Sequence, residues 1–166
     1  MKRIFITNIH PQLRISLEKI ESLVAKILKK NLVARFIEPK TSPMNWATTK
    51  TNQRKLNVNI ILVDDKFMRR LNRKFAKRTG TTDVLSFEMG GDKNIFKKGS
   101  EKILGEVYVN LDQAKKNAQN YKSKFADEVA LLVTHGVLHL LGYDHKKKSD
   151  FLVMREKENE YLSSSG

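Results

Sequence analysis

The sequence predicts an α+β fold in a single domain: a small, mostly four-stranded mixed sheet packed with about five helices, of which a central apolar helix carries the candidate chemistry. Three observations support this. Up to residue 110, short β-branched segments interleave with amphipathic ones, and from 111 onward the pattern is helical throughout. A chain of 166 residues, 40% hydrophobic and 30% charged, is also the right size for one core.

Taken in order, RIFIT (3–7) reads as a strand, and residues 12–30 place Leu13, Ile15, Leu17, Ile20, Leu23, Val24, Ile27 and Leu28 largely at helical spacing. The stretch 36–55, with two prolines and many Thr and Asn, is expected as a long loop or insertion. LNVNIILV (56–63) is a strand whose trailing Asp64 and Asp65 can cap a basic helix, DKFMRRLNRKF. DVLSF (83–87) and the alternating LGEVYVN (104–110) are two more strands, separated by a Gly- and Lys-rich stretch. Three helices follow: LDQAKKNAQNY, then SKFADEVALLVTHGVLHLLG with Ser123 as its N-cap, then SDFLVMREKENEYL capped by Ser149. The middle one is apolar on most faces, so it is expected to be buried and its polar residues need a reason. Residues 163–166 read as a frayed tail on a domain spanning 1–166.

Composition narrows the function. The absence of cysteine excludes disulfides, iron-sulfur clusters, thiolate zinc sites and cysteine nucleophiles, so a metal must be held by His and carboxylates. No apolar run approaches membrane-spanning length and no secretory segment is recognisable, which gives the expectation of a soluble, cytoplasmic protein. The net charge is +14, and it is uneven: residues 1–60 carry 12 basic against 3 acidic side chains, 61–100 carry 10 against 5, and 101–166 carry 10 of each. Such a surplus suits a polyanionic partner, although a lysine-rich surface serving solubility would look the same.

Three of the four histidines, His135, His139 and His145, fall within eleven residues, THGVLHLLGYDH. Residues four apart on a helix differ by about 40° in azimuth and roughly 6 Å in rise, so His135 and His139 can reach one ion. Gly142 stands where a helix ends by entering the left-handed region, and the reversal can bring Asp144 and His145 back toward the pair. Three imidazoles would leave a zinc ion one open position, the mark of a catalytic site. Unpaired imidazoles on a buried helix would otherwise cost about 1–3 kcal/mol each. The spacing matches the metzincin peptidases except that Gly136 replaces their glutamate general base, which argues against that protease chemistry.

HGVLHLLGYDH resembles the signature of the YbeY family of metal-dependent endoribonucleases, H-G-x-L-H-L-x-G-Y-D-H, at His135, Gly136, Leu138, His139, Leu140, Gly142, Tyr143, Asp144 and His145. TDVLSF (82–87) and GEVYVN (105–110) resemble two further family segments, so the likeness covers most of residues 56–162. The resemblance implies a compact α+β fold, one zinc ion per chain held by His135, His139 and His145, and hydrolysis of single-stranded RNA in ribosomal RNA maturation. One departure stands out. The family carries an aromatic-Arg-x-x-Asp-x-Pro-Thr run before D-V-L-S-F, and here Ala76 takes the arginine's place and Thr81 the proline's. Arg73, Lys77 or Arg78 could supply the phosphate-binding cation instead.

Other assignments stay open. Asp144 could orient an imidazole, act as catalytic base, or simply shape its turn. Lys66, Arg69, Arg70 and Lys74 could hold an RNA backbone or form a solvated face. Met154 is expected as core filler rather than part of a methionine turn, and Trp46 or Phe96 could stack on a base or merely pin a loop. Beside the ribonuclease reading stand two others: a zinc hydrolase of another substrate, and a basic RNA- or ribosome-binding protein whose metal is structural.

Overall fold

A computed structural model of the chain describes residues 4–37, 56–89, 102–143 and 148–163. Most of the expected 36–55 loop, the Gly- and Lys-rich stretch, Trp46, Phe96, Asp144, His145 and the tail 164–166 lie outside them. The elements are β1 (Ile4–Asn8), α1 (Leu17–Ile37), β2 (Leu56–Val63), α2 (Asp65–Leu71), a π-turn (Asn72–Ala76), β3 (Val84–Glu88), β4 (Lys102–Asn110), α3 (Leu111–Tyr121), α4 (Phe125–Leu140) and α5 (Lys148–Ser163). The sheet order is β1-β2-β4-β3; β1 and β4 run parallel to β2, and β3 runs antiparallel to β4. The α+β expectation, with a mixed four-stranded sheet and five helices, holds.

Alternation along the strands sends Ile4, Val58, Ile60, Leu62, Val107 and Val109 to one face, where all are buried. Helix α4 lies against β3 and β4 on that face, with α1 and α3 beside it and α5 packed on α4 and α1. Val129, Val133, Val137 and Leu138 of α4 are fully buried, which confirms the reading of an apolar central helix. Met154 is buried in the same core, as the core-filler reading expects. Among the described residues no helix is long and apolar enough to cross a membrane.

The helix boundaries differ from expectation in physical detail. The first helix begins at Leu17, not near residue 12, because side chains satisfy the backbone before it: His10 Nδ1 accepts from the amides of Gln12 and Leu13, and Asn8 Nδ2 donates to the Leu13 carbonyl. The same helix then continues to Ile37. Asp64 caps α2 as expected, accepting from the Phe67 amide at 2.7 Å. The basic helix that follows is interrupted, however: its second half is the π-turn, closed by Lys77 in the left-handed region at φ 52°. Ser123 does not cap α4, whose N-cap is Lys124 with no side-chain bond. Ser149 lies inside the first turn of α5 and donates to Asp150.

Candidate functional site

Helix α4 turns one face into the sheet and another toward α5. Gly136 makes the first contact possible: a Cβ there would sit 2.4 Å from Val107 Cγ1 and 3.1 Å from Ser86 Oγ. Ser86 also donates to the Gly136 carbonyl at 3.0 Å, tying β3 to the helix at the residue between the two histidine turns. No glutamate fits at 136, so the residue that argued against a metzincin mechanism is fixed by packing.

His135 and His139 share the second face, as the four-residue spacing requires. Their ring centroids are 4.7 Å apart, and their Nε2 atoms approach to 3.1 Å. Glu158 on α5 orients the pair: His135 Nδ1–H donates to Glu158 Oε1 at 2.6 Å, with that carboxylate 14% exposed. A proton held on Nδ1 leaves the Nε2 lone pair pointing at His139. Two ligands of one tetrahedral ion at 2.0–2.1 Å stand roughly 3.3 Å apart, so the donor pair fits a zinc-sized cation. Among the described residues no cluster of three potential ligands forms, and His145 and Asp144 lie outside them. Glu158 is the residue that sequence reasoning missed; Asp144 was considered for a role that, toward His135, Glu158 fills.

The reversal after α4 is built as expected. Gly142 takes φ 85°, its amide donates to the His139 carbonyl, and the Tyr143 amide reaches back to Leu138, which together form a Schellman turn. Tyr143 is then anchored across the molecule. Its hydroxyl donates to Asn31 Oδ1 at 2.9 Å, and the buried Asn31 amide donates to Tyr161 on α5 at 2.8 Å. The backbone leading to Asp144 and His145 therefore starts from a point held by α1, α4 and α5.

The basic residues occupy a different part of the molecule. Lys77 and Arg78 line a hollow of about 450 Å³ together with Ala76, Leu85 and the loop 79–82. Arg73 faces a smaller hollow of about 290 Å³ with Arg70 and Lys74. The position that carries arginine in the resembled family is thus flanked by Lys77 and Arg78, not by Arg73. Two buried asparagines brace the larger hollow: Asn72 Nδ2 donates to the Gly80 carbonyl at 2.7 Å, and Asn110 Nδ2 donates to Thr81 Oγ1, the Thr82 carbonyl and Asp65 Oδ1. Burial raises the Asp65 carboxyl's pKa, but hydrogen bonds from Thr81, Arg69 and Asn110 outweigh it and bring it down to about 2. Leu85 faces the hollow while its neighbour Ser86 bonds α4, so the edge strand β3 is shared by the cations on one side and the histidine helix on the other.

The fourth histidine, His10, has a structural role. It is buried, with Nδ1 accepting two backbone amides and Nε2–H donating to Asp112 at 3.1 Å.

The chain matches the profile of a family described as Endoribonuclease YbeY over residues 5–166. A curated protein of Carboxydothermus hydrogenoformans named Endoribonuclease YbeY is 42% identical over 109 residues, covering 66% of this chain and 72% of that one. One of the same name from Desulforamulus reducens is 32% identical over 164 residues, covering 98% of this chain and 97% of the relative. Among solved structures, the solution structure of a Thermotoga maritima protein superposes with a TM-score of 0.56 at 23% identity, covering 98% of this chain and 88% of that one, which supports the fold.

Proposed function

The chain belongs to the YbeY endoribonuclease family, and on that premise we propose that it is a zinc-dependent endoribonuclease hydrolysing phosphodiester bonds of single-stranded RNA, in ribosomal RNA maturation in the cytoplasm. The observation that supports this most is the imidazole pair, with Nε2 atoms 3.1 Å apart and one ring oriented by a carboxylate from another helix. His135, His139 and His145 are the residues that would hold one zinc ion. When bound, zinc supplies an acidified water and polarises a phosphate oxygen.

The remaining parts of the site belong to the chain. Glu158 fixes the His135 tautomer, and Lys77 and Arg78, across β3 from the histidines, hold backbone phosphates of the bound strand. Asp144, adjacent to His145, is the proposed proton acceptor; with Gly136 turned into the sheet, α4 has no carboxylate at the metzincin position. Arg73 contacts RNA farther from the cleaved bond. A zinc peptidase is disfavoured for the same reason.

The test is elemental analysis of the purified chain combined with incubation on an unstructured RNA. Bound zinc at one equivalent and cleavage that chelator abolishes and His139→Ala eliminates are the expected results. Zinc retained with RNA left intact would instead favour a basic RNA-binding protein with a structural metal.

A further inference from the structure

The sheet face opposite α4 carries features that the histidine pair does not use. Strand register places Phe87, Glu106, Asn59 and Phe5 in one row across the four strands. Phe75 of the π-turn packs edge-on to Phe87 with centroids 5.1 Å apart, Phe87 packs edge-on to Tyr108 at 5.7 Å, and Tyr108 stacks on Phe67 at 6.2 Å. A cation stands at each end of this ladder: Lys74 Nζ lies 5.2 Å from the Phe75 centroid, and the Arg70 guanidinium 5.2 Å from that of Phe67.

Two features distinguish this surface from an ordinary packed aromatic cluster. Phe75, at its outer end, stays 56% exposed. Residues 66–82 carry seven cations and no carboxylate, and among the described residues Arg69 is the one of them with an acidic partner. Glu106, the carboxylate in the row, is occupied by the Tyr108 hydroxyl and Asn59.

We propose that Phe75 and Phe87, flanked by Arg70, Arg73 and Lys74, form a stacking platform for unpaired RNA bases, outside the cleavage site and reached from it across the edge strand β3. Unpaired nucleic acid offers what this surface complements, a π-face on every base and a charge on every phosphate. A duplex hides its base faces, and an apolar protein segment would leave the cations unmatched. The choice of RNA rests on the endoribonuclease reading, and the platform would give that activity its preference for single strands.

The test is fluorescence anisotropy of a labelled 12-nucleotide unstructured RNA and of a blunt-ended RNA duplex, with the full chain in chelator so that nothing is cleaved. Phe75→Ala is expected to weaken binding of the single strand about 10-fold or more, leave the duplex unchanged, and be rescued by Phe75→Trp. Equal binding of the single strand by parent and Phe75→Ala, or equal losses for both RNAs, would overturn the proposal. Phe75 is exposed, and an unchanged thermal melt verifies that the variant is folded. Cleavage is read separately on the zinc-loaded chain: cleavage without a Phe75 effect removes the platform and keeps the nuclease, while Phe75-dependent binding without cleavage does the reverse.

Discussion

Helices α4 and α5 hold the two histidines among buried neighbours, with His135 bonded to a carboxylate and the following turn tied to two other helices. The stretch from Lys66 to Thr82 is the opposite: seven exposed cations, three on the short helix α2 and four on the π-turn and the segment after it, which opens with a left-handed lysine. The difference suits the two ligands proposed for these regions. A metal ion needs a few donors held to within tenths of an ångström, which takes rigid elements and oriented imidazoles. A polyanion needs charge at approximate spacing, and exposed side chains on a braced loop supply it. Mutations should therefore act steeply at the first region and shallowly at the second.

Glu158→Ala tests the steep side most strongly. It removes the acceptor that orients His135, and zinc affinity measured by competition with a chromogenic chelator is expected to fall about 10- to 100-fold with the fold intact. An unchanged affinity would mean that the α5 carboxylate does not orient the ring. Gly136→Ala comes next. Its methyl group would meet Val107 and Ser86, so urea unfolding is expected to show a loss of about 1–3 kcal/mol.

Acid comes third. The Asp65 carboxyl titrates at about 2 in the folded protein against 3.8 ordinarily. Its contribution, about 2 kcal/mol, is therefore fully present above pH 3.8 and is lost as pH falls toward 2. Asp65→Asn should be less stable than the parent at pH 5, and the gap should close near pH 2; a gap independent of pH would show that the carboxylate's charge is not what the loop depends on. The smallest effect is expected on the shallow side. Arg78→Ala should weaken RNA binding modestly for all sequences alike and reduce the slope of log K against log salt by about 1.

The same contrast decides what was legible in the sequence. His135 and His139 could be read because a helical period fixes which residues share a face, and Gly142 because its left-handed turn has a residue signature. The four strands announced themselves by β-branched alternation. Glu158 could not be read: it is 23 residues from His135, and only the docking of α5 on α4 brings it there. Its faint signal was an acidic residue on the helix that follows the histidines. The start of α1 was misplaced because Asn8 and His10 bond the backbone of residues 10–13, a competition that apolar periodicity does not register. The π-turn was missed for a similar reason, since NRKFA fits an ordinary helix equally well. Gly136 was noticed for the glutamate it lacks, and the structure adds that the sheet leaves no room for one.

The hydrogen bond between Asn31 and Tyr161 joins residues 130 apart, and Tyr143 joins the same asparagine over a separation of 112. Contacts that close such long loops form late in folding, since the chain must lose loop entropy before they contribute. Every copy still on the ribosome with α5 unsynthesised has His135 without its carboxylate and Asn31 without its tyrosine. In a protein built this way, undocking of the one helix α5 releases the orientation of His135 and the anchor of the turn after α4 together.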